Sequence, residues 1–257
     1  MHTPNEGSGM NDEQLRELFS SLATLAQQGP IPVQAYSILI HNHSPEALAD
    51  LLHQRWLSDS RFVNIAANIL LHMRKTNSDG LALSSCVLAL LLNDYRNRLE
   101  IRSRSALMFR NSTSALFEMY SAFLEFDPFV AKCLVKPMFQ SLDILLDEQS
   151  LSEDLETAGL LLTNHGATLN NLNSYLADRL IVKIRSKICS DDPQMNGDIR
   201  RIFLHVLDLW VWGWNELAIP ECLTFGYFDK MPLMGDPTPE RKCGTRDKEF
   251  GSKESVV

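Results

Sequence analysis

The 257-residue sequence has few of the features that mark secreted, zinc-binding or membrane-spanning proteins. Its five cysteines are odd in number, widely spaced and never form a C-x-x-C pair, which indicates neither a disulfide framework nor a zinc site. No run approaches about 18 consecutive apolar residues, and the opening residues carry no basic patch ahead of an apolar core. We therefore expect a soluble protein of the cytoplasm and nucleus with no membrane partner.

Signatures of catalysis are missing as well. The sequence contains no G-x-S-x-G, H-E-x-x-H or P-loop pattern, and its adjacent carboxylates are typical of helix starts. His41 and His43 are two residues apart and have no cysteine or carboxylate at ligand spacing. These absences favour a protein that is not an enzyme and that uses neither a cofactor nor a metal ion.

Positive charge is scarce over the whole chain. The 24 Lys and Arg residues face 32 Asp and Glu residues, which gives a net charge of −8. This balance argues against a protein that coats nucleic acid or a membrane, although it leaves room for a local basic patch.

The sequence is rich in apolar residues at helical spacing. The stretch from Leu134 to Ile188 contains two helix-length patterns, with a tight break predicted at Gly166 between them. Comparable patterns recur along the chain, and no run alternates with period two between turn signals. One helix pair cannot bury its apolar surface alone, so the sequence predicts an all-α solenoid or curved bundle of about ten antiparallel helices.

The same patterns delimit one helical domain at residues 12–228. The segments 1–11 and 229–257 lack aliphatic periodicity and are predicted to be disordered tails. Within the domain, we predict a break at Lys136-Pro137 and a last long helix at about 198–217.

Two groups of basic residues are candidates for partner binding. The first group is Arg96, Arg98, Arg102, Arg104 and Arg110, and the second is Arg179, Lys183 and Lys187, followed by Arg200 and Arg201. Spacings of four residues place several of these cations on one face of a helix. Because the chain is acidic, such groups concentrate positive potential locally and are predicted to bind acidic peptide segments or RNA phosphates. The alternative is an ordinary solvated helix face.

Three tryptophans follow one another at a spacing of two residues. On a helix this spacing spreads the rings over different faces, so they cannot all enter one core. Trp210 continues the apolar stripe of Phe203 and Leu207 and is predicted to be structural. Trp212 and Trp214 are predicted to contact a partner or a second copy of the chain. The alternative is that both rings pack against the segment 217–228.

Four stretches resemble the middle domain of eukaryotic translation initiation factor 4G. They are LEIRSRSALMFRNSTSALFEMYSAFLEF (99–126), LVKPMFQSLDILL (134–146), SLSEDLETAGLLLTNHGATLNNLN (150–173) and IFLHVLDLWVWGWNE (202–216). The resemblance is best over residues 83–214 and rests on patterns of helix packing, with no catalytic signature. Within this superfamily, the chain is most similar to the small single-domain members that interact with the histone mRNA stem-loop-binding protein.

The resemblance implies a crescent of HEAT-like antiparallel helix pairs without enzymatic activity. Superfamily members dock DEAD-box RNA helicases and mRNA-binding proteins, several support translation or export of specific mRNAs, and the small members are thought to form homodimers. The expected function is therefore an adaptor in mRNA metabolism, possible partners being a DEAD-box helicase and the histone stem-loop-binding protein. Direct RNA binding by the basic helix faces is the alternative, although no aromatic residues interleave with the two basic groups as a stacking platform would require.

Overall fold

The computed structural model describes residues 44–76 and 80–224, together with Glu17 and Ser21. Within these residues the protein is all-α, with ten α-helices, a short 3-10 turn and no strand. The two predicted tails and most of the predicted domain ahead of Ser44 lie outside the described residues. Glu17 and Ser21 are helical.

Nine α-helices build the body of the fold and a tenth, very short one follows them. They are α1 (Pro45–Ser58), α2 (Phe62–Thr76), α3 (Gly80–Arg96), α4 (Arg98–Arg104), α5 (Ala106–Phe126), α6 (Pro128–Leu145), α7 (Ser152–Leu172), α8 (Ser174–Ile188), α9 (Gly197–Val211) and α10 (Glu221–Thr224). Residues 80–104 form two helices, of which the second, α4, contains the basic residues at the end of this segment.

Polar side chains cap the starts of several helices. Ser44 accepts a hydrogen bond from the backbone N–H of Ala47, and Pro45 occupies the first helical position, where its missing N–H costs nothing. Asp127 and Asn173 each cap the following helix while also ending the preceding one, so single residues separate α5 from α6 and α7 from α8. Each such cap is worth about 1 kcal/mol. These very short connections force consecutive helices to run antiparallel.

Apart from the short α4 and α10, the helices form two layers, and the helices within a layer run parallel. One layer contains α1, α3, α6 and α8, and the other contains α2, α5, α7 and α9. In the first layer, His53 and Asp94 join the later turns of α1 and α3 at 2.9 Å. In the second, Lys75 and Glu125 join the last turns of α2 and α5 at 2.5 Å. This stack of antiparallel helical pairs confirms the predicted all-α helical-repeat fold.

A single hydrophobic core runs between the two layers. Trp56, Phe117, Leu134 and Phe203 are fully buried in it, and they come from α1, α5, α6 and α9 respectively. Because every helical pair contributes to this core, the ends of the helices and the outer faces are the parts left for binding.

The predicted break at Gly166 is wrong, because α7 continues through this residue and ends only before Asn173. Gly159 and Gly166 are seven residues apart and share the face of α7 that meets α9. A Cβ at Gly159 would lie 2.5 Å from Ile202, and one at Gly166 would lie 1.9 Å from the ring of Trp214. The glycines therefore allow close approach rather than a turn, which outweighs their cost of about 1 kcal/mol each inside a helix.

Two further predicted boundaries are also wrong. Pro137 lies inside α6 instead of interrupting it, since Leu134, Met138 and Leu142 on both sides are buried in the core. Tertiary packing thus overrides the local preference of proline. The last long helix ends at Val211 rather than near residue 217, and a turn with positive φ at Gly213 and Trp214 follows it.

Candidate partner-binding cleft

The first basic group divides into residues used inside the fold and residues on its surface. Arg102 donates two hydrogen bonds to the carboxylate of Asp147, at 2.5 and 2.9 Å. Arg110 donates one to Asp154 at 2.9 Å, and the Asp154 side chain is only 1% exposed. These two arginines therefore clamp α4 and α5 to the segment around the start of α7.

The pKa of Asp147 is shifted by its pairing with Arg102. Burial raises the pKa of this carboxyl, but the hydrogen bonds and charge of Arg102, together with the backbone N–H of Gln149 and the hydroxyl of Ser150, lower it below its usual value. The hydrogen bond to Asp147 likewise raises the pKa of Arg102. The charged pair is thus the stable form at neutral pH.

The remaining arginines of the first group lie nearer the surface. Arg104 pairs with Glu100 of the same helix at 2.6 Å, and Arg96 is exposed. Arg98 is half-buried, with its guanidinium 4.5 Å from the ring centre of Tyr95 and a hydrogen bond to the backbone oxygen of that residue. Of this group, Arg98 lines a cleft together with Arg179 of the second group.

Most cations of the second group also have partners. Lys183 contacts Asp143 at 2.5 Å, and Lys187 contacts Asp192 at 2.9 Å. Arg200 donates to the backbone oxygens of Ile188 and Ser190, and Arg201 pairs with Asp198. Arg179 differs because it is exposed and forms no salt bridge with any residue that the structure describes.

A cleft of about 710 Å³ opens between the parallel helices α6 and α8. It is lined by four cations, one carboxylate, two amides and five apolar side chains. These are Arg98, Lys132, Lys136 and Arg179; Asp143; Gln140 and Asn173; and Val135, Phe139, Ile144, Leu176 and Leu180. Its lining spans twelve helical steps of α6, which correspond to about 18 Å at 1.5 Å per residue. The cleft therefore has an apolar floor and a positively charged rim.

Two of the four rim cations were not predicted from the sequence. Lys132 and Lys136 are exposed on α6, four residues apart, and neither forms a salt bridge within the described part of the chain. Asp143 is the carboxylate of the lining, and Lys183 already neutralises it. The cleft thus concentrates positive charge in a chain whose net charge is −8. The four-residue spacing of Lys132 and Lys136 was the signal in the sequence.

Two exposed aromatic side chains lie near one end of this cleft. Phe129 is 81% exposed, and the ammonium group of Lys132 lies 5.2 Å from its ring centre. Tyr175 is 70% exposed and precedes Arg179 by one helical turn. Since α6 and α8 run parallel, each presents an aromatic ring in its first turn and cations in the turns that follow. On α8 the ring of Tyr175 precedes the basic stripe and does not interleave with it.

The structure separates the two tryptophans that were predicted to bind a partner. Trp212 is 41% exposed at the end of α9. Trp214 is half-buried and its ring packs against Gly166 of α7. The alternative of packing against the segment 217–228 stays open, since residues 225–228 lie outside the described residues. Trp210 donates a hydrogen bond to Asp178 at 3.0 Å and packs against the core, in line with its predicted structural role. Partner binding by Trp212 and Trp214 stays a prediction.

We also looked for metal sites, disulfides and membrane-spanning helices among the described residues. They contain no group of three or more His, Cys, Asp or Glu side chains that could hold a metal ion. The four cysteines in these ranges are unpaired. No helix among the described residues is long and apolar enough to cross a membrane. Neither a scan of protein-family models nor a search of curated proteins found a match to the chain.

Proposed function

We propose that this protein is a non-enzymatic adaptor of mRNA metabolism, related to the middle domain of initiation factor 4G. In this proposal it bridges a DEAD-box RNA helicase, or other initiation machinery, and an mRNA-bound protein such as the histone stem-loop-binding protein. It acts in the cytoplasm and nucleus as a homodimer. The resemblance of residues 83–214 supports these assignments, and the stack of helical pairs is the fold that the resemblance implies.

The observation that carries the proposal is the cleft between α6 and α8. Its rim cations Lys132, Lys136 and Arg179 have no salt-bridge partner within the described residues, so their charge is available to a ligand. Its apolar floor suits side chains that a peptide can supply and a phosphate backbone cannot. An acidic segment of a partner protein, with apolar anchor residues, satisfies both surfaces.

Direct binding of single-stranded RNA is the second candidate, and the exposed rings of Phe129 and Tyr175 favour it. Bases can stack on such rings while the cations contact phosphates. The two candidates differ in salt response. Each phosphate contact adds about 0.7 to the slope of log affinity against log salt for a single strand, so three cations predict a slope of about −2.

The test is capture of partners by the full chain from a nuclease-treated lysate, identified by mass spectrometry. Recovery of a DEAD-box helicase or the histone stem-loop-binding protein without RNA supports the adaptor. Arg179→Glu should lose this capture, whereas Arg185→Glu, an exposed cation of the same helix outside the cleft, should keep it. Capture that disappears with the RNA makes direct RNA binding the function instead.

The homodimer is tested separately by light scattering. The chain has a mass of 29.1 kDa, so a dimer predicts a mass near twice that value. A monomer whose mass does not change with concentration would rule out this part of the proposal.

A further inference from the structure

A second cavity lies on the other helical layer, between α7 and α9. It has a volume of about 440 Å³. Thr163, Asn164 and Ala167 line it from α7, and His205 and Leu209 line it from α9. Trp214 and Glu216, which follow α9, complete the lining with an indole ring and a carboxylate.

The indole ring belongs to Trp214, and a sharp turn sets its position. Gly213 and Trp214 have consecutive positive φ angles of 64° and 63°, which is unusual for a residue as large as tryptophan. This turn follows the end of α9 and seats the ring against α7, where Gly166 leaves room for it. Its indole N–H is buried and has no hydrogen-bond partner among the described residues. The wall of the cavity is therefore held in place by packing, at the cost of backbone strain.

The carboxylate belongs to Glu216, and it gives the cavity a negative character. No Lys or Arg is among the lining residues, and Glu216 is exposed and forms no salt bridge within the described residues. The cavity also lies near the C-terminal end of α9, where the helix dipole favours cations.

His205 does not oppose this negative character at neutral pH. Burial lowers the pKa of His205, while the charges of Glu216 and Asp208 act to raise it. The net effect keeps the imidazole uncharged near neutrality. The same two carboxylates would attract any cation that enters the cavity.

We propose that this cavity binds a basic side chain, a guanidinium or ammonium group from a partner protein. The cation pairs with Glu216 and lies against the indole of Trp214, an arrangement that combines an ion pair with a cation–π contact. The oxygens of Asn164 and Thr163 can accept its remaining hydrogen bonds. The cleft between α6 and α8 fits an acidic segment, so the protein has two docking sites of opposite charge on different layers, which goes beyond the proposed function.

The experiment uses the full chain and a minimal probe, N-acetyl-arginine methylamide, with the neutral citrulline analogue as its isosteric control. Binding is followed by NMR at the indole N–H of Trp214. We expect a saturable shift with the arginine probe, with a Kd of about 1 mM or somewhat above, as suits so small a ligand. The citrulline probe should bind at least about fivefold more weakly, since it lacks the charge.

Matched variants separate the site from general electrostatics. Glu216→Gln should weaken binding of the arginine probe about two- to fivefold, because it removes the charge and preserves the shape. Glu156→Gln, an exposed glutamate of α7 outside the cavity, should leave binding unchanged. Equal binding of the two probes, equal binding by Glu216→Gln and the parent chain, or the absence of a saturable shift would each overturn the proposal. None of these outcomes bears on the cleft, so the two proposals fail independently.

Discussion

The pair Arg102 and Arg110 and the exposed cations of the cleft between α6 and α8 are alike in the sequence and opposite in the structure. Arg102 and Arg110 form ion pairs with Asp147 and Asp154, and both arginine side chains are only 15% exposed. Arg179 is exposed and has no such partner among the described residues. The first set therefore holds the fold together, and the second set can attract a ligand.

The difference teaches that the number of cations in a stretch does not decide whether they form a binding site. What decides it is whether a carboxylate from elsewhere in the fold reaches them. A buried, paired charge contributes no free potential at the surface, although breaking the pair is costly. An unpaired surface cation contributes little to stability and retains its potential for a partner.

The largest expected effect is the loss of stability on breaking the most buried pair. Arg110→Met leaves the 1% exposed carboxylate of Asp154 without its counterion. We expect the free energy of unfolding at neutral pH to fall by about 3–5 kcal/mol, as measured by urea denaturation. The backbone N–H of Leu151, which also donates to Asp154, cannot replace the missing charge.

A double variant is the control for this prediction. Arg110→Met combined with Asp154→Asn removes both charges and keeps a side-chain oxygen that can accept from the N–H of Leu151, so it should recover most of the lost stability. If Arg110→Met alone is as stable as the parent chain, the contrast between the two sets of cations is wrong.

The second prediction concerns the less buried clamp. Arg102→Met removes two charge-assisted hydrogen bonds, but the Asp147 side chain is 34% exposed, so water can replace part of what is lost. We expect a decrease of about 1–2 kcal/mol in the free energy of unfolding, smaller than for Arg110→Met. A loss larger than that of Arg110→Met would show that burial does not rank these pairs.

The clamp on Asp147 also predicts a pH dependence. The pKa of this carboxyl is lowered in the folded protein, so its contribution to stability is present above the unfolded value of about 3.9 and is lost as pH falls through the folded value. The stability gap between the parent chain and Arg102→Met should be constant near neutral pH and shrink below about pH 4. Urea denaturation at a series of pH values measures it, and a gap that widens in acid would contradict the assignment.

The sequence predicted the helices better than it predicted the roles of charged side chains. Helix existence follows from local apolar spacing and caps such as Ser44, both of which are visible within one or two turns of the chain. The partners of Arg102 and Arg110 lie 45 and 44 residues further along, so no local pattern could reveal them. The prediction of a break at Gly166 failed for the same reason. The ring that packs against this glycine belongs to Trp214, which is 48 residues further along the chain.

The smallest effect on stability is expected for a cation of the cleft, and it separates this set most clearly from the paired arginines. Arg179→Met should change the free energy of unfolding by no more than about 0.5 kcal/mol, since an exposed side chain without an ion pair is removed. Its effect should appear in binding, measured by fluorescence anisotropy with a labelled oligouridylate and with an acidic, leucine-containing peptide. If RNA occupies the cleft, the salt slope for the oligouridylate should fall by about 0.7 relative to the parent chain, because one phosphate contact is lost.

The matched variant for this last prediction is Arg185→Met, which removes an exposed cation of α8 outside the cleft. It should leave the affinity for both probes and the salt slope unchanged. Weaker binding of the peptide alone in Arg179→Met identifies a protein-docking cleft, and weaker binding of the oligouridylate alone identifies an RNA site. Equal losses in Arg179→Met and Arg185→Met would mean that the ligands sense only the overall charge of α8, and the cleft would then be no more specific than any solvated helix face.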